Sequence, residues 1–154
     1  MNSLALAKDY LRKARARLRA LELLYQEASY DDVVREAQEI VELVLKGTLR
    51  CLGIDPPKRH DVAPLLRTYQ SLLPSSWQEE LDWIEDLSRT LLRERSEAFY
   101  GDETDLIPAS QLYARDDASR ALAGARRLVE LYELLLRGCS APTSRQEGEG
   151  EDRP

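Results

Sequence analysis

SYDDVVREAQEIVELVLKGTLRCLG, residues Ser29 to Gly53, decides how this chain folds. Val33, Ala37, Ile40, Val44, Thr48 and Leu52 recur at helical spacing. Val34, Val41, Leu45 and Leu49 widen that stripe past half of the circumference. A helix this apolar belongs at the centre of a bundle or at an interface between copies. Ser29 is its expected N-cap, Asp31 and Asp32 suit the dipole of the first turn, and Gly53 followed by Pro56-Pro57 stops it.

The same period extends to either side. Upstream, Leu4, Ala7, Leu11, Ala14, Leu18, Leu21 and Tyr25 alternate at spacings of three and four, an a/d seam opposite a basic face. Downstream, a shorter helix is predicted from about 61 to 73, halted by Pro74. Ser76-Trp77-Gln78-Glu79 then reads as a capping box for a fourth helix that reaches about Tyr100 on Leu81, Ile84, Leu87, Leu91 and Ala98. A last helix, about 115 to 137, turns Ala118, Leu122, Ala125, Val129, Tyr132 and Leu136 inward. No segment alternates as a strand would. The expected fold is all-α, an up-and-down bundle of four long helices plus one short helix over residues 1–138, with a disordered acidic tail over 139–154.

The 154 residues carry a net charge of −6, so non-specific nucleic-acid binding is not the default expectation. The charge is polarised, however. Lys8 to Arg19 holds six bases against Asp9, and Glu79 to Asp105 holds ten acids against three arginines. Neutralisation between neighbouring helices is the expected outcome, and complementary faces in an oligomer are the alternative. Trp83, Tyr69 and Phe99 fall off the best core stripes, which leans the reading towards a homodimer. Cys51 and Cys139 cannot make a disulfide framework, nor a zinc site with His60 as the sole histidine, so reduced thiols, no metal and a cytoplasmic setting are expected. Ser3 to Leu24 is too charged for a signal peptide or a membrane span.

Chemistry concentrates in Arg95-Ser96-Glu97-Ala98-Phe99-Tyr100-Gly101-Asp102-Glu103. An Arg, a hydroxyl, two aromatics, a stopping Gly and acidic residues exceed what a helix terminus needs. In isolation Arg95 reads as structural, paired with Asp102, Glu103 or Glu97. Glu39, Glu42 and Lys46 read as a solvated ion-pair ladder. His60 or Asp61, just ahead of the third helix, reads as its cap.

Taken in order, Ala37-Gln38-Glu39, Glu42, Lys46, Gly53, Pro56-Pro57 and His60-Asp61, with Arg95 to Tyr100, Pro108 and an Ala-rich last helix, the chain resembles the HEPN family (higher eukaryotes and prokaryotes nucleotide-binding) over roughly residues 5 to 137. The resemblance implies a helical homodimer that binds nucleotide or RNA, often beside a small nucleotidyltransferase in a toxin–antitoxin pair. It also implies that any catalysis would be metal-independent RNA cleavage by an Arg and a nearby His, without a cofactor. Here Arg95-Ser96 matches the first half of that signature, but Tyr100 stands where the His belongs, and a phenol is a poor proton shuttle at neutral pH. The expected site is therefore Arg95, Ser96, Tyr100 and Asp102 in a cleft shared by two copies, with Glu42, Lys46 and His60 as neighbours. Two alternatives stand beside binding: a ribonuclease using Arg95 with Tyr100 or His60, and a structural helical assembly.

Overall fold

The computed structural model describes residues 3–140. It contains α1 (Ser3–Gln26), α2 (Tyr30–Cys51), α3 (Ala63–Thr68), α4 (Ser75–Glu94), α5 (Glu97–Tyr100) and α6 (Arg115–Ser140), with 3-10 turns at Gln70–Leu72 and Ala109–Gln111. Among the described residues there is no strand, only an isolated bridge between Asp102 and Ile107. The expected all-α bundle is the fold. Its short helical pieces are more numerous than the pattern indicates, because hydrophobic period locates a buried face and is blind to interruptions along it.

The helix α2 occupies the centre. Its predicted inward residues Val33, Ala37, Ile40, Val44 and Thr48 are fully buried, and so are Val34, Leu45 and Leu49 or nearly so. α1 and α6 pack on it and on each other, while α3, α4 and α5 cover another side. One contact ties the first three together. The ring of Tyr132, on α6, crosses α2 at Gly47, and its hydroxyl donates to the Ala7 carbonyl of α1. A Cβ on Gly47 would lie 2.1 Å from the Tyr132 oxygen and 2.6 Å from its ring carbon Cζ, so only glycine permits this approach. Burial pushes the Tyr132 phenol well above its ordinary pKa. Trp77, fully buried at the start of α4, anchors that helix by donating from Nε1 to the Leu131 carbonyl at 3.1 Å.

Helix termini depart from expectation in instructive ways. The Ser29 hydroxyl donates to the Asp32 carboxylate at 2.5 Å and caps no amide. Pro74, with φ −63° and ψ 158°, is the residue that opens α4, two residues ahead of the expected capping box, and its carbonyl receives the Trp77 and Gln78 amides. Gln78 instead folds back, donating to the Leu73 and Gln70 carbonyls. Gly53 does end α2: at φ +78° it donates to Arg50 while Ile54 donates to Leu49, a Schellman pair. α6 continues past Arg137 to Ser140, so the first residues of the expected tail are helical; the rest of it, 141–154, lies outside the described residues.

Two sequence expectations are corrected. Cys51 and Cys139 are joined as a disulfide that links the C-terminal ends of α2 and α6, with Cα atoms 6.5 Å apart. Helical period puts both thiols at the same end of the bundle, and a count of cysteines does not reveal that. The charged poles also fail to neutralise one another. α1 takes its cross-helix ion pairs from α6, through Arg15–Glu133 and Glu22–Arg126, and α4 turns to Arg67 of α3 and Arg127 of α6. Among the described residues no ion pair connects Lys8–Arg19 with Glu79–Asp105.

Gly47→Ala tests the central contact by the sign of its effect. In an open helix the change stabilises by up to about 1 kcal/mol; here the methyl overlaps a buried ring, and a loss of about 1–3 kcal/mol is expected. Urea denaturation with an unchanged m-value measures it.

Candidate functional site

The site forms where the fourth helical segment breaks. α4 ends at Glu94, Arg95 and Ser96 make a turn, and the chain re-enters helix as α5. Both the Phe99 and Tyr100 amides donate to Ser96, which leaves the Arg95 carbonyl without its helical donor. Arg35 of α2 supplies the missing bond, its Nη1 donating to that carbonyl at 2.7 Å. The Arg35 guanidinium also lies 5.1 Å from the centre of the Phe99 ring.

The Arg95 side chain turns towards α2 and donates to Gln38 and to Glu39. Glu39 is in turn 3.6 Å from Arg35. One helical turn further, the Gln38 amide donates to Glu42 at 3.0 Å. Glu42 accepts from Lys46 at 3.0 Å and meets His60 Nδ1 at 2.9 Å. A single chain of polar contacts thus runs Arg95–Gln38–Glu42–His60 along one face of α2. Gln38, only 3% exposed, presents its oxygen to a guanidinium and its nitrogen to a carboxylate, so both ends of a buried amide are satisfied. Burial works to raise the Glu42 carboxyl, but donors from Lys46, Gln38 and His60 outweigh it and hold the group below its ordinary range.

The predicted site residues divide into two groups. Arg95, Glu42, Lys46 and His60 come together in this chain of contacts. Ser96, Tyr100 and Asp102 do not join it. The turn uses the Ser96 carbonyl, and Tyr100 is 65% exposed with its ring edge-on to Phe99 at 4.9 Å. Asp102 folds its own loop, its Oδ1 accepting from the amides of Thr104 and Asp105. Gly101 fixes where that loop starts, at φ +79°, with an added Cβ only 2.4 Å from the Ile107 carbonyl. The expected pairing of Arg95 with Asp102, Glu103 or Glu97 gives way to Gln38 and Glu39. Nor does His60 cap α3, whose N-cap is Val62; its Nδ1 faces Glu42 instead.

Arg35 and Gln38 are members that site reasoning missed, and Glu39, expected only in a solvated ladder with Glu42 and Lys46, meets Arg95 instead. The usable signal was Gln38 itself: an amide inside the apolar arc of α2 must find a partner on another element. A groove of about 690 Å³ lies between α4 and α6 beside Trp83, Leu87 and Gly124 and includes none of the Arg95 cluster. Glu94 lines it with its carboxyl raised, first by burial and then by Asp117. Among the described residues no cluster could hold a metal ion, and no helix is long and apolar enough to cross a membrane.

Glu42→Gln reads the electrostatics of the network. A carboxyl held below its ordinary 4.5 in the fold contributes stability that is present above that value and is lost as pH falls through the lowered one. The variant should be less stable than the parent by about 1–2 kcal/mol near neutrality. That gap should narrow as pH falls below 4.5, as followed by thermal unfolding across pH.

The HEPN domain model matches residues 7–135 of the chain. No curated protein and no solved structure matches it. The match spans every helix that supplies the Arg95–His60 face, from α2 to α5, together with most of α1 and α6. This all-α chain belongs to the HEPN domain family, a nucleotide- or RNA-related module.

Proposed function

We propose that the chain is a HEPN module that works by binding, as a homodimer acting with a nucleotidyltransferase-type protein in a toxin–antitoxin-like pair. Its ligand is a nucleotide or an RNA phosphate taken by Arg95. The guanidinium is held by Gln38 and Glu39 on a rigid, buried helix, which suits an oriented anion contact. Arg35 supplies a second positive charge beside it, and the exposed Phe99 and Tyr100 rings offer a face for a base.

One observation carries the preference for binding over cleavage. The sole imidazole, His60, is engaged by Glu42 and separated from Arg95 by the side chains of Glu42 and Gln38. General acid–base chemistry needs a proton carrier within hydrogen-bond reach of the phosphate that Arg95 would hold. The same continuity of contacts is what favours the second reading, a metal-independent ribonuclease, should ligand or partner draw His60 closer.

Thermal unfolding with AMP, ATP or short oligouridylate distinguishes them. At a hundredfold excess over Kd, bound ligand stabilises by about 2.7 kcal/mol. The parent should gain several degrees and Arg95→Ala none, with no cleavage of single-stranded RNA in EDTA. Cleavage that disappears in both Arg95→Ala and His60→Ala would replace binding with the ribonuclease reading.

A further inference from the structure

The acidic stretch from Glu79 to Asp105 finds no ion pair on α1 among the described residues, and part of it lines the groove between α4 and α6. Asp86, Thr90 and Glu94 follow one another at intervals of one turn along the α4 wall. That spacing sets Asp86 and Glu94 about 12 Å apart along the helix axis. Between them the lining is apolar, from Leu87 and Leu91 of α4 and from Ala121 and Gly124 of α6. Gly124 lets the two helices meet there: a Cβ at that position would lie 2.8 Å from Leu87 Cδ1. The groove is thus a trough with a carboxylate towards each end and hydrocarbon between.

The pairing of the other charges leaves those two acids free. Among the described residues neither Asp86 nor Glu94 has a hydrogen bond or an ion pair. The bases of the opposite wall are both taken, Arg120 by Asp117 at 3.2 Å and Arg127 by Glu80. Arg127 also lies against the Trp83 ring, 5.9 Å from its centre. Burial, and after it Asp117, raises the Glu94 carboxyl, and Arg93 and Arg120 counter this only in part. A cation bound beside Glu94 would restore the charge that its surroundings disfavour. A compact ion is not what the trough suits, since among the described residues no cluster of three acids, cysteines or histidines could hold a metal. An extended cation can meet both carboxylates at once.

We propose that this groove binds a linear aliphatic polyamine, with one terminal ammonium at Glu94, the other at Asp86, and the methylene chain over Leu87 and Leu91. The extended triamine spermidine reaches nearly the span between the two acids, whereas putrescine reaches little more than half of it. Each terminal ammonium gains a charge-assisted hydrogen bond, and the methylenes withdraw apolar lining from water. Thr90, midway between the acids, offers its hydroxyl to the inner nitrogen. A volume of about 690 Å³ is within the range of small-ligand sites. The groove shares no residue with the Arg95 network, so this site stands or falls apart from nucleotide binding there.

Isothermal titration of the full chain with spermidine tests this, with circular dichroism to confirm that each variant folds. One equivalent should bind, and putrescine should bind about tenfold more weakly. Glu94→Gln and Asp86→Asn should each cost about tenfold in affinity. Glu103→Gln, which removes a charge of the same sign from the exposed loop after α5, should change nothing. Magnesium chloride should compete no better than sodium chloride at equal ionic strength. Unchanged affinity in both Glu94→Gln and Asp86→Asn overturns the site, and so does the absence of any binding heat in dilute buffer. Equal affinity for putrescine, or displacement by magnesium beyond that of sodium, also overturns it, because diffuse attraction to the acidic pole would then account for the binding.

Discussion

The crossing of α2 by Tyr132 at Gly47 is the constraint on which the rest of the bundle depends. It joins three helices through one ring and one hydroxyl, and it works only because position 47 has no side chain. With α1 and α6 fixed so close, α2 is enclosed on two sides, and α4 and α5 close a third. What α2 can show is one narrow side. The charged residues of α2 therefore collect there, and the buried Gln38 beside them links Glu42 to Arg95 arriving from another element.

The break between α4 and α5 is the second requirement. A continuous helix through Arg95 would bond its carbonyl to Phe99 and carry the side chain past α2. The break frees the carbonyl for Arg35 and turns the guanidinium to Gln38 and Glu39. Neither proline nor glycine marks this interruption; the break sits where Arg35 can replace the lost helical donor. Removing the Arg35 side chain would strand the Arg95 carbonyl, and removing that of Arg95 would strand the buried Gln38 oxygen; because both guanidinium groups also meet Glu39, the two are coupled in the way that makes side-chain networks stronger than separate pairs.

Much of the architecture could be read in the sequence because burial imposes a period. The inward faces of α2 and α6 follow the predicted residues one by one, from Val33 to Thr48 and from Ala118 to Leu136. Interruptions and caps were poorly legible, since Pro74 and the Arg95–Ser96 turn act through backbone geometry that composition does not record. The contact network around Arg95, which is the candidate site, was legible in half. Arg95, Glu42, Lys46 and His60 were found by residue type and order, but Tyr100, Ser96 and Asp102 were grouped with Arg95 by adjacency. Neighbours in sequence diverge in space once a turn and a glycine at φ +79° intervene. The disulfide was hidden for the converse reason: 88 residues separate two cysteines that the last turns of two helices bring together.

The polarity of the network bears on what it can bind. Arg35 and Arg95 share one carboxylate, Glu39, so an anion arriving at Arg95 competes with a side chain already in place. Beyond the arginines the exposed loop is acidic at Glu103 and Asp105, which repels a long polyanion passing over it. A small phosphate group, or the end of a strand, meets less of that repulsion than the middle of an RNA does. A further cation brought in beside Glu39 would shift the balance towards the anion by drawing that carboxylate from Arg95. On electrostatic grounds, then, the share of the Arg95 charge open to a ligand is set by how firmly Glu39 is held elsewhere.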